Sequence, residues 1–126
     1  VCIANRTASK STVLANTFSK LGNVYGCGFD QMPQEKFDII INGTSMSLNG
    51  DVPPVTEKQL TKQTCAYDMA YGSRPTPFII WAQAQGLTKT SDGLGMLVEQ
   101  AAESFQLWRG VMPSTQSVIT FLREDL

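Results

Sequence analysis

The chain has 126 residues, 42% of them apolar and 17% charged, with ten lysines and arginines against eleven aspartates and glutamates and a formal net charge of −1. That size and balance suit one globular domain with a real core and exclude a strongly basic chain that would hold nucleic acid by charge alone. No apolar run approaches the ~20 residues needed to span a bilayer, histidine is absent, and Cys2, Cys27 and Cys65 form no Cys-x-x-Cys pair, which removes most zinc sites and the commonest general acid/base. The first residues lack the layout of a signal peptide, so a soluble cytoplasmic protein is expected, with each cysteine a small buried hydrophobe. Because the chain starts without Met and enters directly on an apolar stretch, it reads as a fragment of a longer polypeptide.

An apolar opening at residues 1–4 predicts a strand, and Asn5-Arg6-Thr7 supplies a residue type suited to capping the helix that follows. From Ala8 onward Val13, Leu14, Phe18 and Leu21 recur on one face at helical spacing, and Gly22 is placed to end the helix as its C-terminal cap. Residues 23–27 predict a brief strand, and residues 28–35, with Pro33 among them, a loop. Phe37-Asp38-Ile39-Ile40-Ile41 predicts a short strand buried on both faces, as the middle of a parallel sheet requires. Ligands of open α/β sheets bind beyond the carboxyl ends of the strands, so Asn42, Gly43, Thr44 and Ser45 stand where a cofactor would sit, although Asn and Gly also suit an ordinary turn.

Residues 47–54 carry Asn49-Gly50 and Pro53-Pro54 and predict an extended loop, after which Thr56 is placed to cap a short helix to about Lys62. Residues 64–69 predict a strand, Pro75-Thr76-Pro77 lead into a helix at 78–85 closed by Gly86, and residues 87–90 supply an edge strand. Asp92 opens the longest periodic segment, with Met96, Leu97, Ala101, Phe105 and Trp108 at helical spacing until Gly110. Pro113-Ser114 start a last helix to Leu126 with Val118, Ile119 and Leu122 inward. Strands alternating with helices predict parallel βαβ units in a doubly wound sheet.

Three stretches carry candidate chemistry. Asn5-Arg6-Thr7-x-x-Lys10 lies where a strand hands over to a helix. In a dinucleotide-binding sheet an acidic residue there selects NAD and an Arg accommodates the 2′-phosphate of NADP; Arg6 is present and no carboxylate is. The guanidinium offers two parallel hydrogen bonds, Lys10 a mobile point charge, and Thr7 with the helix amino end further donors; the same residues also suit a capped surface helix. Tyr67-Asp68-Met69-Ala70-Tyr71 finishes a strand with Tyr67, Met69 and Tyr71 on one face, where Tyr71 would either hydrogen-bond a polyol or carboxylate or simply pack. In Asp92-Gly93-Leu94-Gly95-Met96-Leu97-Val98-Glu99-Gln100 the glycines let a flat ring approach the backbone and Gln100 offers a donor and an acceptor, while core packing for Met96 and a solvated face for Gln100 are the plain alternatives.

In order along the chain, Asn5-Arg6-Thr7-x-x-Lys10, Asp38-Ile39-Ile40-Ile41-Asn42-Gly43-Thr44-Ser45, Tyr67-Asp68-Met69-Ala70-Tyr71, Thr76-Pro77-Phe78 and the 92–100 stretch resemble the cofactor domain of the NADP-dependent shikimate dehydrogenases of aromatic amino-acid biosynthesis. The resemblance implies a Rossmann-like α/β fold, one NADP-binding domain over residues 1–126, and an enzyme that moves a hydride between shikimate and NADP. Asn5, Arg6, Thr7 and Lys10 would hold the adenosine 2′-phosphate with Ala8 and Ser9 among the cofactor-binding residues, Thr44, Met69, Gly93 and Met96 would line the nicotinamide side, and Tyr71 and Gln100 would touch shikimate. The family's first strand and Gly-rich pyrophosphate loop, and the amino-terminal domain with the Lys and Asp that handle the hydroxyl proton, have no counterpart in these residues, so no catalytic acid or base and no metal ligand is assigned. A gap is expected between the strands at 1–4 and 37–41, where that first strand belongs. A non-catalytic NADP-binding module and a quinate-oxidising relative are the alternatives.

Overall fold

The computed structural model describes residues 1–125, which fall into two compact units, Val1–Glu35 and the described residues from Lys36 onward. In the first unit β1 (Cys2–Asn5) and β2 (Tyr25–Gly28) pair in parallel, joined through α1 (Ala8–Phe18). Ala4 stands opposite Cys27 in that register, and the thiols of Cys2 and Cys27 lie 3.6 Å apart. Burial pushes the Cys27 thiol up to about 11, as expected of a cysteine packed as a small hydrophobe. Cys2 and Cys65 are only half-buried, so that expectation holds for Cys27 alone.

The apolar stripe expected inside α1 faces out. Val13, Leu14, Phe18 and Leu21 are all exposed, and the buried residues of α1 are Ser11 and Ala15. The cause lies in β2. A Cβ on Gly26 would stand 2.3 Å from the Ser11 backbone, so helix and strand approach so closely that only small side chains fit between them. Ser11 fits there because its hydroxyl lies 2.7 Å from Ala8 O and 2.8 Å from Cys27 O. The helix is also shorter than its periodicity suggests, since it is capped at Ser19, before Gly22.

The second unit holds the parallel sheet β3 (Ile39–Asn42), β4 (Cys65–Asp68) and β5 (Lys89–Ser91), with β4 central. Around it run α2 (Pro77–Ala84), α3 (Leu94–Arg109) and α4 (Gln116–Asp125). Thr76 caps α2 by accepting from the Ile79 amide, Pro77 occupies the first turn, and Gly86 and Gly110 take the left-handed backbone that follows α2 and ends α3. Leu60, Ala66, Phe78, Ile79, Ala82 and Leu87 form the core, with Phe78 and Trp81 stacked at 5.6 Å.

Several expectations change in this unit. The parallel strands fall into two sheets, one in each unit, with no pairing between β1 and β3, where the missing first strand was expected to leave a gap. β3 is not buried on both faces: Ile39 and Ile41 are 61% and 62% exposed, and Ile40, between them on the opposite face, packs toward the core. Asn42 continues the strand inward. Short 3₁₀ turns occupy Phe29–Gln31 and Met46–Asn49, where loop was expected, and the helix after Thr56 is a single turn, Glu57–Gln59, whose cap Thr56 shares with Gln59. α3 turns Leu94, Val98 and Ala102 inward, whereas Met96, Ala101, Phe105 and Trp108 are exposed and Leu97 is half-buried. In α4 Ile119 and Leu122 are half-buried and Val118 exposed; Leu126 lies outside the described residues.

Candidate functional site

In the first unit, Asn5 ends β1 and Ala8 begins α1, leaving a two-residue corner. The Asn5 carboxamide oxygen accepts from the Thr7 amide at 2.8 Å, and Thr7 O accepts from Lys10 N at 3.0 Å, which fixes the corner from within. Thr7 occupies the N-cap position but its hydroxyl makes no cap bond, and the first turn of α1 holds no acidic residue. Arg6, Thr7, Ala8, Ser9 and Lys10 are all exposed, and neither cation has a carboxylate partner among the described residues. Uncapped amide donors, the positive end of a helix and two unpaired cations form a donor set matched to a phosphate dianion.

In the second unit the candidate residues gather at the carboxyl ends of β3 and β4 and at the head of α3. A Cβ on Gly93 would meet the Met69 carbonyl oxygen at 2.1 Å, and one on Gly43 would meet Met69 Sδ at 3.2 Å, so Met69 lies between two glycines on neighbouring connections. The Gly93 amide donates to Ala70 O at 3.1 Å, locking α3 to the turn after β4. β4 ends at Asp68, so Met69, Ala70 and Tyr71 belong to that turn and not to a strand face as the alternation suggested. Met69, Tyr71 and Met96 are partly exposed, and Gln100, one turn after Met96 on the same face of α3, has its side chain in solvent. Thr44, Met69 and Gly93 are thus brought together, with Met96 and Gln100 following along α3.

Asp68 receives no role in the sequence reading, yet it organises this end of the sheet. It is fully buried and accepts four hydrogen bonds: at Oδ1 from Asn42 Nδ2 (3.2 Å) and Ala70 N (3.1 Å), and at Oδ2 from Ser47 Oγ and Thr76 Oγ1 (both 2.6 Å). Asn42, expected to face a ligand, is 2% exposed and turns inward; its Oδ1 accepts from Thr44 N (3.0 Å) and Thr44 Oγ1 (2.8 Å). The available signal is an acid set among apolar neighbours near a strand end, since a carboxylate there needs an internal set of donors.

Asp92, just before α3, pairs with Arg123 of α4 through contacts of 2.6 and 2.8 Å, and Arg123 also donates to Gly72 O. The Arg123 hydrogen bonds hold the Asp92 carboxyl below its ordinary value. Beside this pair opens a cavity of about 340 Å³ bordered by Arg74, Gln83, Ser91 and Arg123. Among the described residues no cluster of three or more His, Cys, Asp or Glu could hold a metal, and no helix is long and apolar enough to cross a membrane.

The model of the shikimate 5′-dehydrogenase C-terminal domain matches residues 93–120, which span α3 and the start of α4. A shikimate dehydrogenase (NADP(+)) of Saccharophagus degradans is 51% identical over 99% of the chain and 47% of its own length. The chain is similar to the carboxy-terminal part of shikimate dehydrogenases. It spans about half the length of the curated relatives it matches. Shikimate dehydrogenase structures share its fold: the shikimate 5-dehydrogenase of Thermus thermophilus, solved with NADP(H) and shikimate, is 27% identical with a TM-score of 0.76 over 100% of this chain and 46% of that one. An Ael1 enzyme from Pseudomonas putida is 40% identical with a TM-score of 0.80, covering 96% of this chain and 44% of that one. The α/β, Rossmann-like class expected for a shikimate dehydrogenase therefore holds, with parallel strands throughout.

Proposed function

We propose that this chain is the cofactor-binding half of an NADP-dependent shikimate dehydrogenase that works in the cytoplasm in aromatic amino-acid biosynthesis, interconverting shikimate and 3-dehydroshikimate. The observation that carries the cofactor choice is the Asn5–Lys10 corner, with its exposed Arg6 and Lys10, its uncapped helix end and no acid in the first turn. Arg6 would grip the 2′-phosphate through paired donors, Lys10 would add charge, and Asn5, Thr7, Ala8 and Ser9 would shape the corner and present its amide and hydroxyl groups. Thr44, Met69, Gly93 and Met96 would line the nicotinamide side, where the bare Gly43 and Gly93 positions leave room for a flat ring near Met69. Tyr71 and Gln100 would hydrogen-bond the substrate.

NADP, when bound, supplies the hydride acceptor at C4 of its nicotinamide. This chain's residues supply position: they hold the ring at a fixed face and keep substrate oxygens in register with it. The hydroxyl proton released as the carbonyl forms goes to a base outside these residues, in a substrate domain of the same polypeptide, in keeping with relatives about twice as long. The Asp68 carboxylate is not that base, since both its oxygens are taken by four donors.

The test is a fluorescence titration of the full-length polypeptide carrying this chain with NADPH and with NADH, followed by addition of shikimate and NADP to measure turnover. Selective NADPH binding with turnover is expected. Arg6→Ala removes charge-assisted bonds of about 1.5–3 kcal/mol, so NADPH should weaken roughly 10- to 150-fold while NADH stays nearly unchanged. Equal losses for the two cofactors would overturn the phosphate role, and binding without turnover would favour a non-catalytic module.

A further inference from the structure

Asp68 is a buried acid whose charge is balanced without a cation: among the described residues the carboxylate in a salt bridge is that of Asp92. The proton inventory explains how. Ser47 Oγ accepts from Asn42 Nδ2 at 3.0 Å and Thr76 Oγ1 accepts from Ile79 N at 3.4 Å, so each hydroxyl has its one proton left to donate to Asp68. All four partners therefore aim hydrogens at the carboxylate, and Thr76, the N-cap of α2, brings it beside the positive end of that helix.

The partners come from two connections: Asn42 at the end of β3 with Ser47 in the turn after it, and Ala70 and Thr76 between β4 and α2. Both lead straight to the residues assigned to the nicotinamide and the substrate. Asn42 holds both the amide and the hydroxyl of Thr44, and Thr44 Oγ1 in turn accepts from Met46 N. The Ala70 amide sits between Met69 and Tyr71.

We propose that Asp68 is a positioning residue for hydride transfer: its buried carboxylate fixes Thr44 through Asn42, and the Met69–Tyr71 turn through the Ala70 amide. The inference rests on the reading of this site as the nicotinamide end of an NADP-dependent dehydrogenase. Its mechanical part can be tested without any ligand.

Asp68→Asn keeps the shape of the side chain but puts an NH₂ where an acceptor was. If the NH₂ takes the Oδ2 place, Ser47 and Thr76 both lose their acceptor; if it takes the Oδ1 place, the Ala70 amide and Asn42 lose theirs. Either choice frees one partner on the β3 side and one between β4 and α2. In the full-length protein, amide hydrogen exchange without ligand should speed up in residues 43–46 and 69–72 of the variant, with α1 and α3 unchanged. Misplacing a hydride donor and acceptor by about 1 Å costs up to roughly 100-fold, so kcat should fall about 10- to 100-fold. KM for NADP should stay within about threefold because Arg6 and Lys10, outside this network, provide most of the cofactor affinity.

The deciding readout is the primary deuterium isotope effect with NADPH deuterated at the transferred position. A misplaced ring makes hydride transfer slower relative to the other steps and raises the effect, whereas loss of folded protein leaves it unchanged. Should Asp68→Asn fail to fold, Ser47→Ala, which removes one donor and leaves the carboxylate, should show the same pattern at about a third of the size or less in kcat. Unchanged exchange in both segments would overturn the proposal, as would an unchanged isotope effect with kcat tracking the folded fraction. A wild type that turns over neither substrate would instead overturn the dehydrogenase reading, and is recognised separately because the exchange comparison needs no ligand.

Discussion

A methyl group at Gly93 would stand 2.1 Å from the Met69 carbonyl oxygen and 2.7 Å from its carbon, a contact with backbone that no rotamer can relieve. Gly93→Ala should therefore push α3 away from the turn after β4, break the Gly93 N to Ala70 O bond, and destabilise the fold by about 1–3 kcal/mol in urea unfolding. Gly95, two residues on, has nothing within 4 Å of its Cβ position and lies inside α3, so Gly95→Ala should be neutral or stabilise by up to about 1 kcal/mol. Equal effects at the two positions would contradict the close approach. Both glycines stand in the same sequence stretch and look alike there. Only the neighbour across the turn distinguishes them.

Helix α4 is tied to the sheet by Arg123, whose guanidinium spans Asp92 and Gly72 O. Arg123 is 42% exposed, so solvent screens the pair and its contribution is expected to be under about 1 kcal/mol. The Asp92 pKa is depressed in the folded chain. Its stabilisation is therefore present above the unfolded carboxylate value, about 3.9, and is lost as pH falls through the lower folded value. Arg123→Ala should speed exchange or proteolysis in α4 at neutral pH, and the difference from wild type should disappear as the pH falls below about 4. A difference that persists in acid would mean that packing of Ile119 and Leu122, not the ion pair, holds the helix. Periodicity and end signals located α1, α2, α3 and α4, but the apolar positions that recur along α1 and α3 are mostly not the buried ones. In α1, the close approach at Gly26 admits only Ser11 and Ala15 into the contact; in α3, contact at Gly93 coincides with a buried row at Leu94, Val98 and Ala102.

Across the whole molecule, apolar side chains that would ordinarily be covered are open to solvent in both units. Leu21 is 82% exposed in the first, and Ile39 and Ile41 line the outer strand of the second, whose other edge has no strand partner in its sheet. An unpaired, β-branched edge is a template for association. The 126-residue chain alone should therefore sediment as concentration-dependent oligomers and melt broadly, and Ile39→Thr with Ile41→Thr should reduce the association. A single 13.8 kDa species with a sharp melt would contradict this.

Local chemistry in the sequence was enough to establish the alternation of strands and helices, the caps at Thr56, Gly86 and Gly110, and the five ordered motifs that point to the shikimate dehydrogenase family, because each depends on residues close together in the chain. Tertiary structure alone decided which helix faces are buried, that Ile39 and Ile41 are exposed, and that Asp68 joins Asn42, Ser47, Ala70 and Thr76. Those outcomes depend on how closely two backbones approach and on which donors from distant connections meet one buried carboxylate, and neither quantity is carried by the spacing of residues along the chain.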